Sequence, residues 1–346
     1  MNLIDLAQEK GLHPKRTSSH GGGEYHSACP NCNDGKDRFT IWPNETSKNC
    51  TGRYWCRQCE IKGDSIQFCH DFLGLNFSEA CRKLSVSLPG FHKTSTFLQP
   101  IVPPLKLASE PALAWQEKAE MFVEWAHRQL QLNPTAISKL YERGLTENAF
   151  KQFTLGYCPK DMWRSYDDWG IKAEAKENSN LPKIWLPQGL VIPWISPEGK
   201  VLKINIRRLK WFEGDKYGKY IKTPGSMNCP AVYGDVSSSM GIILESEFDA
   251  ILIQQEASDL VFCVATGGSC QPMDLSTDFL IRKADCLLFC PDVDQAGARF
   301  WSRLQRRYTN GLLWPAPIGK SPGDAFKLGI NLREWIKKSY ERRSDA

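Results

Sequence analysis

Five carboxylates in the last third of the chain stand where a metal site would need them. "GIILESEFDA" ends an apolar run in Glu245 and carries Asp249 shortly after. "CLLFCPDVDQAGA" ends another such run in Asp292 and Asp294, and "GKSPGDAF" adds Asp324. In extended backbone the i, i+2 spacing of Asp292 and Asp294 points both side chains the same way. Like charges gathered at one sheet edge repel, and divalent cations resolve that conflict. Oxygen ligands without histidine or cysteine favour Mg²⁺ or Mn²⁺. Metals held that way serve in-line phosphoryl or nucleotidyl transfer. Taken singly, Glu245 and Asp249 fit a salt bridge as well, and Asp294 fits an N-cap ahead of a helix from Gln295. All six histidines lie at or before His127, so histidine acid–base chemistry is excluded from the C-terminal two thirds.

A second constellation is "CPNC" (Cys29, Cys32) and "CRQC" (Cys56, Cys59), two C-x-x-C knuckles separated by 23 residues. Zinc takes four ligands tetrahedrally, and two such knuckles supply four thiolates with the right bite. A structural zinc is therefore expected on these four sulfurs. His26 and Cys50 stand close enough in sequence to substitute for one ligand. The start, "MNLIDLAQEKGLHPKR", lacks a signal-peptide h-region, and no 18-residue apolar stretch exists. A cytoplasmic chain with no membrane partner is expected, its thirteen cysteines reduced.

The elements that must position these groups fall into zones. With 346 residues, two or three domains are expected. Hydrophobic content of 41% and charge of 24% are ordinary for a globular protein, and a net charge of +5 permits a polyanion partner without requiring one. Residues 1–86 hold the two knuckles with strand-like "DRFTIW" and "GRYWC" between them, followed by helical "GDSIQFCHDFLGLNFSEACRKL". Residues 87–112, with Pro89, Pro100, Pro103, Pro104 and Pro111, read as a linker. From 113 the chain is helical, with Trp115, Ala119, Phe122, Val123 and Ala126 in one stripe. A break is expected at Gly144, with a new start near Thr146. "KIWLPQGLVIPWISPEGKVLKINIRRLK" then alternates as short antiparallel strands up to about 239. From 240, "GIILES", "LVFCVAT", "CLLFCPD" and "GLLWPAP" alternate with helices, which predicts a parallel sheet carrying its site at the strand ends. The fold class expected is a multidomain α+β and α/β chain.

"CPNC" with "YWCRQCEIKGDSIQFCHDFLGLNFSEA" resembles the zinc-binding domain of bacterial and phage DnaG-type DNA primases. "YERGLTENAFKQFTLGYCP" and "KYIKTPG" are similar to that family's RNA-polymerase domain. A strand-end Glu, then "ATGGS", then D-x-D resembles its Toprim domain, a Rossmann-like parallel-sheet fold. Two departures are visible: E-S-E-F-D carries Ser246 where the family has glycine, and Ser321 stands where its last motif begins with an acid. The resemblance implies a zinc ribbon at 1–86, a mixed α+β core lobe at 113–239 and a Toprim domain at 240–346. It implies catalytic Glu245, Asp249, Asp292, Asp294 and Asp324, with Mg²⁺ or Mn²⁺ on Glu245, Asp292, Asp294 and Asp324. Template or nucleotide contacts fall on Arg143, Lys219, Lys222, Gly267, Gly268 and one of Arg207 and Arg208, with Arg208 favoured. In the zinc domain, Lys36, Arg38, Lys48, Arg53, Trp55, Arg57 and Lys62 are the basic and aromatic candidates for template contact.

The implied activity is RNA primer synthesis on single-stranded DNA from NTPs. A chain ending at Ala346 is expected to leave a replicative helicase as a partner in trans, and its short form suits a phage or mobile element. The competing readings are a Toprim nuclease or topoisomerase-like enzyme, and a catalytically weak single-stranded nucleic-acid-binding protein.

Overall fold

The computed structural model describes residues 1–19, 22–32, 35–44, 52–85, 105–172, 183–268 and 273–344. Cys50, Lys48, Ser269 and most of the Pro-rich segment lie outside these residues.

The N-terminal part runs α1 (Leu3–Glu9), β1 (Lys15–Ser18), β2 (Glu24–Ser27), β3 (Phe39–Trp42), β4 (Arg53–Cys56), β5 (Lys62–Asp64), α2 (Ser65–Leu73) and α3 (Phe77–Lys83). Its five strands form one antiparallel sheet in chain order. The core is aromatic: Phe39, Tyr54, Phe68 and Phe72 meet with ring centres 4.9–6.4 Å apart, which lets so small a domain bury large side chains. Asp64 caps α2, its Oδ1 accepting from the backbone N–H groups of Ile66 and Gln67.

The middle part contains α4 (Leu113–Gln131), α5 (Pro134–Tyr141), α6 (Glu147–Gln152), β6 (Gly156–Cys158), β7 (Met162–Ser165), β8 (Lys183–Leu186), β9 (Gly189–Ile195), β10 (Val201–Arg208) and β11 (Tyr220–Lys222). An antiparallel sheet in the order β11-β10-β9-β6 packs on α4. The stripe Trp115, Ala119, Phe122, Val123 and Ala126 is buried against Ile204 and Ile206. Thr146, at the start of α6, donates from its N–H and its hydroxyl to Gln255 Oε1 in the C-terminal part (2.8 and 3.0 Å), tying the two together.

The C-terminal part runs β12 (Ala231–Tyr233), β13 (Met240–Leu244), α7 (Glu247–Ala257), β14 (Phe262–Ala265), α8 (Leu275–Lys283), β15 (Cys286–Cys290), α9 (Gln295–Arg307), β16 (Gly311–Leu313), α10 (Pro322–Lys327) and α11 (Leu332–Ser344). Its strand order is β12-β14-β13-β15-β16, with β13 to β16 parallel and β12 antiparallel at the edge. β12 precedes residue 240, the sequence-based start of this domain, yet joins its sheet. Leaving β13, the chain goes first to β14 on one side and then to β15 on the other. The strand order therefore reverses at β13, and the crevice beyond the ends of β13 and β15 is where such sheets bind ligands.

Candidate active site

Glu245 follows β13 and Asp292 follows β15, so both open onto that crevice. Ser246 is the N-cap of α7, in extended backbone (φ −98°), and its hydroxyl accepts from the N–H of Asp249 at 3.4 Å. The position thus has no need of a glycine, and serine gives the helix a cap. Asp249 is buried within the first turn of α7. Its Oδ1 accepts from the N–H of Gly323 at 3.2 Å, and the Ser321 hydroxyl donates to the same carboxylate. A Cβ on Gly323 would lie 2.5 Å from that oxygen, so the backbone approaches Asp249 as only glycine allows. Where the family places an acid, Ser321 brings a donor to Asp249.

Val293 is fully buried between Asp292 and Asp294. Asp294 is the N-cap of α9, accepting from the Gly297 N–H at 2.8 Å, and it lines a neighbouring pocket shared with Lys320, Asp64 and Glu213. Capping and charge are therefore combined in one residue. Lys320 Nζ lies 2.5 Å from Asp294 Oδ2 and 3.5 Å from Asp292 Oδ2. Sequence reasoning missed this lysine, because only the return of the chain after β16 brings it to the D-x-D pair.

The electrostatics are those of a crowded acid cluster. Burial, then the charge of Asp294, pushes Glu245 up to about 7. Burial pushes Asp249 up to about 6, with Asp324 adding to it and Arg143 opposing. Burial and the charges of Glu245, Asp294 and Asp249 drive Asp292 well above the carboxylate range, against the pull of Lys320. Burial works against the ammonium of Lys320, but Asp294 and Asp292 more than offset it and raise its pKa. Glu245 Oε1 is buried with no hydrogen-bond partner. Carboxylate donors and an orphaned oxygen are the chemistry of a site for a hard divalent cation such as Mg²⁺ or Mn²⁺, with Lys320 now standing against Asp292 and Asp294; among the described residues the one group already converged as a metal site is the four cysteines.

Across the crevice stands a cationic wall. A cleft of about 400 Å³ is lined by Arg143, Arg207, Lys219 and Tyr220 from the middle part and by Asp249, Asp292, Lys320, Asp324 and Lys327 from the C-terminal part. Arg143 packs over the Phe248 ring at 4.7 Å. Burial, then Arg207 and Arg143, lowers Lys219 to about 8.

Arg208, favoured from sequence, is not part of this cleft. Successive strand residues face opposite ways, and Arg208 pairs with Asp215 at 2.8 Å and lies over Trp185 at 5.2 Å. Arg207 is the one that enters the cleft. Lys222 is also outside its lining and donates to Asn228 Oδ1 at 2.5 Å. Gly267 and Gly268 turn with positive φ (74° and 141°), and the Gly267 N–H donates to the Glu245 carbonyl at 2.8 Å. This turn fastens the ends of β14 and β13 together, which commits the Gly267 N–H to the protein.

In the N-terminal part the Sγ atoms of Cys29, Cys32, Cys56 and Cys59 all lie within 4.8 Å of one another, a tetrathiolate set fit for zinc. The N–H groups of Asn31 and Gln58 reach Cys29 Sγ and Cys56 Sγ, each at 3.4 Å. His26 is instead paired with Glu24 at 2.7 Å. Arg53 and Lys62, candidates for template contact, both reach Glu213 in the β10–β11 loop (2.9 and 3.5 Å). Arg57 pairs with Asp37 at 3.4 Å. Asp64 Oδ2 accepts from the N–H of Gln295, next to Asp294, at 2.8 Å. The zinc ribbon thus rests against the rim of the acidic crevice.

Residues 24–66 match the family described as the zinc-binding domain of primase-helicase. The chain is 28% identical over 290 residues to the DNA primase of Chlamydia muridarum, covering 80% of this chain and 45% of that one. It is 25% identical over 325 residues to the DNA primase of Rickettsia conorii, covering 86% and 49%. The chain therefore spans about half the length of the curated relatives it matches. The RNA polymerase domain of Mycobacterium tuberculosis primase DnaG, crystallised with double-stranded DNA, matches at a TM-score of 0.51 and 17% identity, covering 65% of this chain and 80% of that one. Among the described residues no helix is long and apolar enough to cross a membrane. In sequence this chain is similar to DNA primases, in core fold to primase DnaG, and in its ribbon to the zinc-binding domain of primase-helicase.

Proposed function

We propose that the protein is a DNA primase that joins NTPs into short RNA primers on a single-stranded DNA template. One observation carries the reading: Asp249 and Asp292 line a single cleft opposite Arg143, Arg207 and Lys219. Acids fit for divalent cations thereby face a wall fit for a triphosphate. The division of labour follows the three parts: a zinc ribbon at 1–86 for the template, a core lobe at 113–239 and a catalytic domain at 240–346. A replicative helicase acting in trans is the partner this reading implies.

In the reaction the 3′-hydroxyl of one nucleotide attacks the α-phosphorus of the next, an O–P bond forms, and pyrophosphate leaves. Arg143, Arg207 and Lys219 hold the triphosphate and offset its charge. Glu245, Asp292, Asp294 and Asp324 would hold Mg²⁺ or Mn²⁺, with Asp249 beside them, and the bound metal would supply charge stabilisation at the phosphate oxygens. Glu245, its pKa raised by burial to about 7, is in its ionised form suited to take the hydroxyl proton. The test is primer synthesis from labelled NTPs on single-stranded DNA with Mg²⁺; strand cleavage without synthesis would favour a nuclease and overturn the reading.

The clamp has its own pH signature. Lys219 is charged below about 8 and neutral above it. Its attraction for a triphosphate is thus complete at lower pH and fades as pH rises through that value. NTP affinity of the wild type is expected to fall across this range. Lys219→Arg, which stays charged, is expected to flatten the profile. Identical profiles for the two proteins would remove Lys219 from the clamp.

A further inference from the structure

β10 carries Lys203, Asn205 and Arg207 at alternate positions, so the three share one face. Arg207 enters the cleft. The other two run beneath it toward α7. Asn205 Nδ2 donates a hydrogen bond to Glu247 Oε1. Glu247 is the first residue of α7, between Glu245 and Asp249 in the chain, and is only 3% exposed. Lys203 is equally buried; its Nζ donates to the Cys229 carbonyl at 2.6 Å and lies 5.5 Å from the centre of the Trp194 ring. Its charge is felt at Glu247, as is that of Lys222, while Asp274 faces Lys203.

A carboxylate placed this deep costs free energy unless it is hydrogen-bonded and opposed by a cation. Glu247 has both, yet takes no part in lining the cleft. What distinguishes the pair is where it sits. Asn205 belongs to the strand that bears Arg207, two residues away. Glu247 belongs to the helix that bears Asp249, two residues away. The bond crosses from the middle part to the C-terminal part, joining the two elements that bear Arg207 and Asp249. Exchanging it for apolar packing would keep burial and lose direction, since a charge-assisted hydrogen bond fixes both distance and angle.

We infer that Glu247 and Asn205 are positioning residues: their buried bond sets the separation between the cationic wall and the acid cluster, and so couples nucleotide binding to divalent-cation binding. This rests on the proposed use of the cleft. With the bond intact, the acids that would hold a cation and the Arg207 and Lys219 that would hold a triphosphate stand at one fixed spacing. With it broken, each half still binds its own ligand but the two no longer reinforce one another.

The experiment measures Mn²⁺ affinity without nucleotide, NTP affinity without metal, and NTP affinity with saturating Mn²⁺. Wild type, Asn205→Ala and Glu247→Gln are compared, with melting temperatures alongside. Mn²⁺ is expected to tighten NTP binding in the wild type. Glu247→Gln keeps an acceptor for Asn205 but loses its charge, and should cut that enhancement a few-fold. Asn205→Ala removes the bond and should cut it about tenfold. The separate affinities for Mn²⁺ and for NTP should stay near wild type in both. Melting temperatures that fall while the enhancement is undiminished in both variants would overturn the inference, leaving the pair as ordinary core. A wild type that binds both ligands without mutual enhancement would overturn the inference and leave the primase reading standing; one that binds neither would overturn both.

Discussion

Asp292→Asn is expected to lose nucleotidyl transfer by on the order of a hundred- to thousandfold while its melting temperature holds or rises. The two halves of that result have one cause. Asp292 is crowded by Glu245, Asp294 and Asp249, whose charges oppose its ionisation. Removing a carboxylate relieves repulsion that the folded state otherwise carries, as at sites where function is kept at the expense of stability. Lys320 stays paired with Asp294, its nearer partner, so the substitution leaves no stranded cation. Glu245→Gln should behave alike, because its Oε1 has no partner to lose. Primer synthesis and thermal unfolding measured on the same preparations check this. Activity within a few-fold of wild type would remove Asp292 from the chemistry. A collapse in melting temperature would make the acid cluster structural.

The second large effect concerns the ribbon. Zinc removal, or Cys56→Ser, is expected to unfold residues 1–85 while the rest of the chain stays folded. A structural zinc supplies about 10–16 kcal/mol to a small domain, more than one aromatic cluster of this size can replace. Unfolding would also break the contacts of Arg53 and Lys62 with Glu213, and of Asp64 with the Gln295 N–H. Template-dependent initiation should then fail while NTP binding in the cleft persists. Metal analysis should find one zinc per wild-type chain and none in the variant. Proteolysis should become rapid in the ribbon alone. A zinc-free wild type, or a variant whose ribbon resists protease, would contradict this.

How far the sequence reveals the site depends on whether local or tertiary geometry decides each residue. The knuckles were legible because a two-residue loop between cysteines has one common use, and the sulfurs do converge. The acids were legible because strand ends in a parallel sheet share one edge, which brings Glu245 and Asp292 to one crevice however the helices pack. Arg207 against Arg208 was not legible: one step along a strand reverses the facing, and neither residue type nor motif order reports that phase. Nor was the place of β12, whose pairing with β14 is set by the sheet edge it covers and not by its own three residues. Ser246 and Ser321 read as departures from a motif, yet one caps α7 and the other donates to Asp249. Lys320 and the Glu247–Asn205 bond lay beyond sequence reasoning because each needs two elements far apart in the chain. A buried charge beside a metal motif, such as Glu247 between two acids, is the one local signal that could have pointed there.

The most direct measurement is oligoribonucleotide synthesis by the wild-type chain on single-stranded DNA with NTPs and Mg²⁺, run with and without template and beside Asp292→Asn. Short products that require template, metal and Asp292 are expected. No product under these conditions, or equal product from Asp292→Asn, would contradict the assignment of the acidic crevice as a primer-synthesising centre.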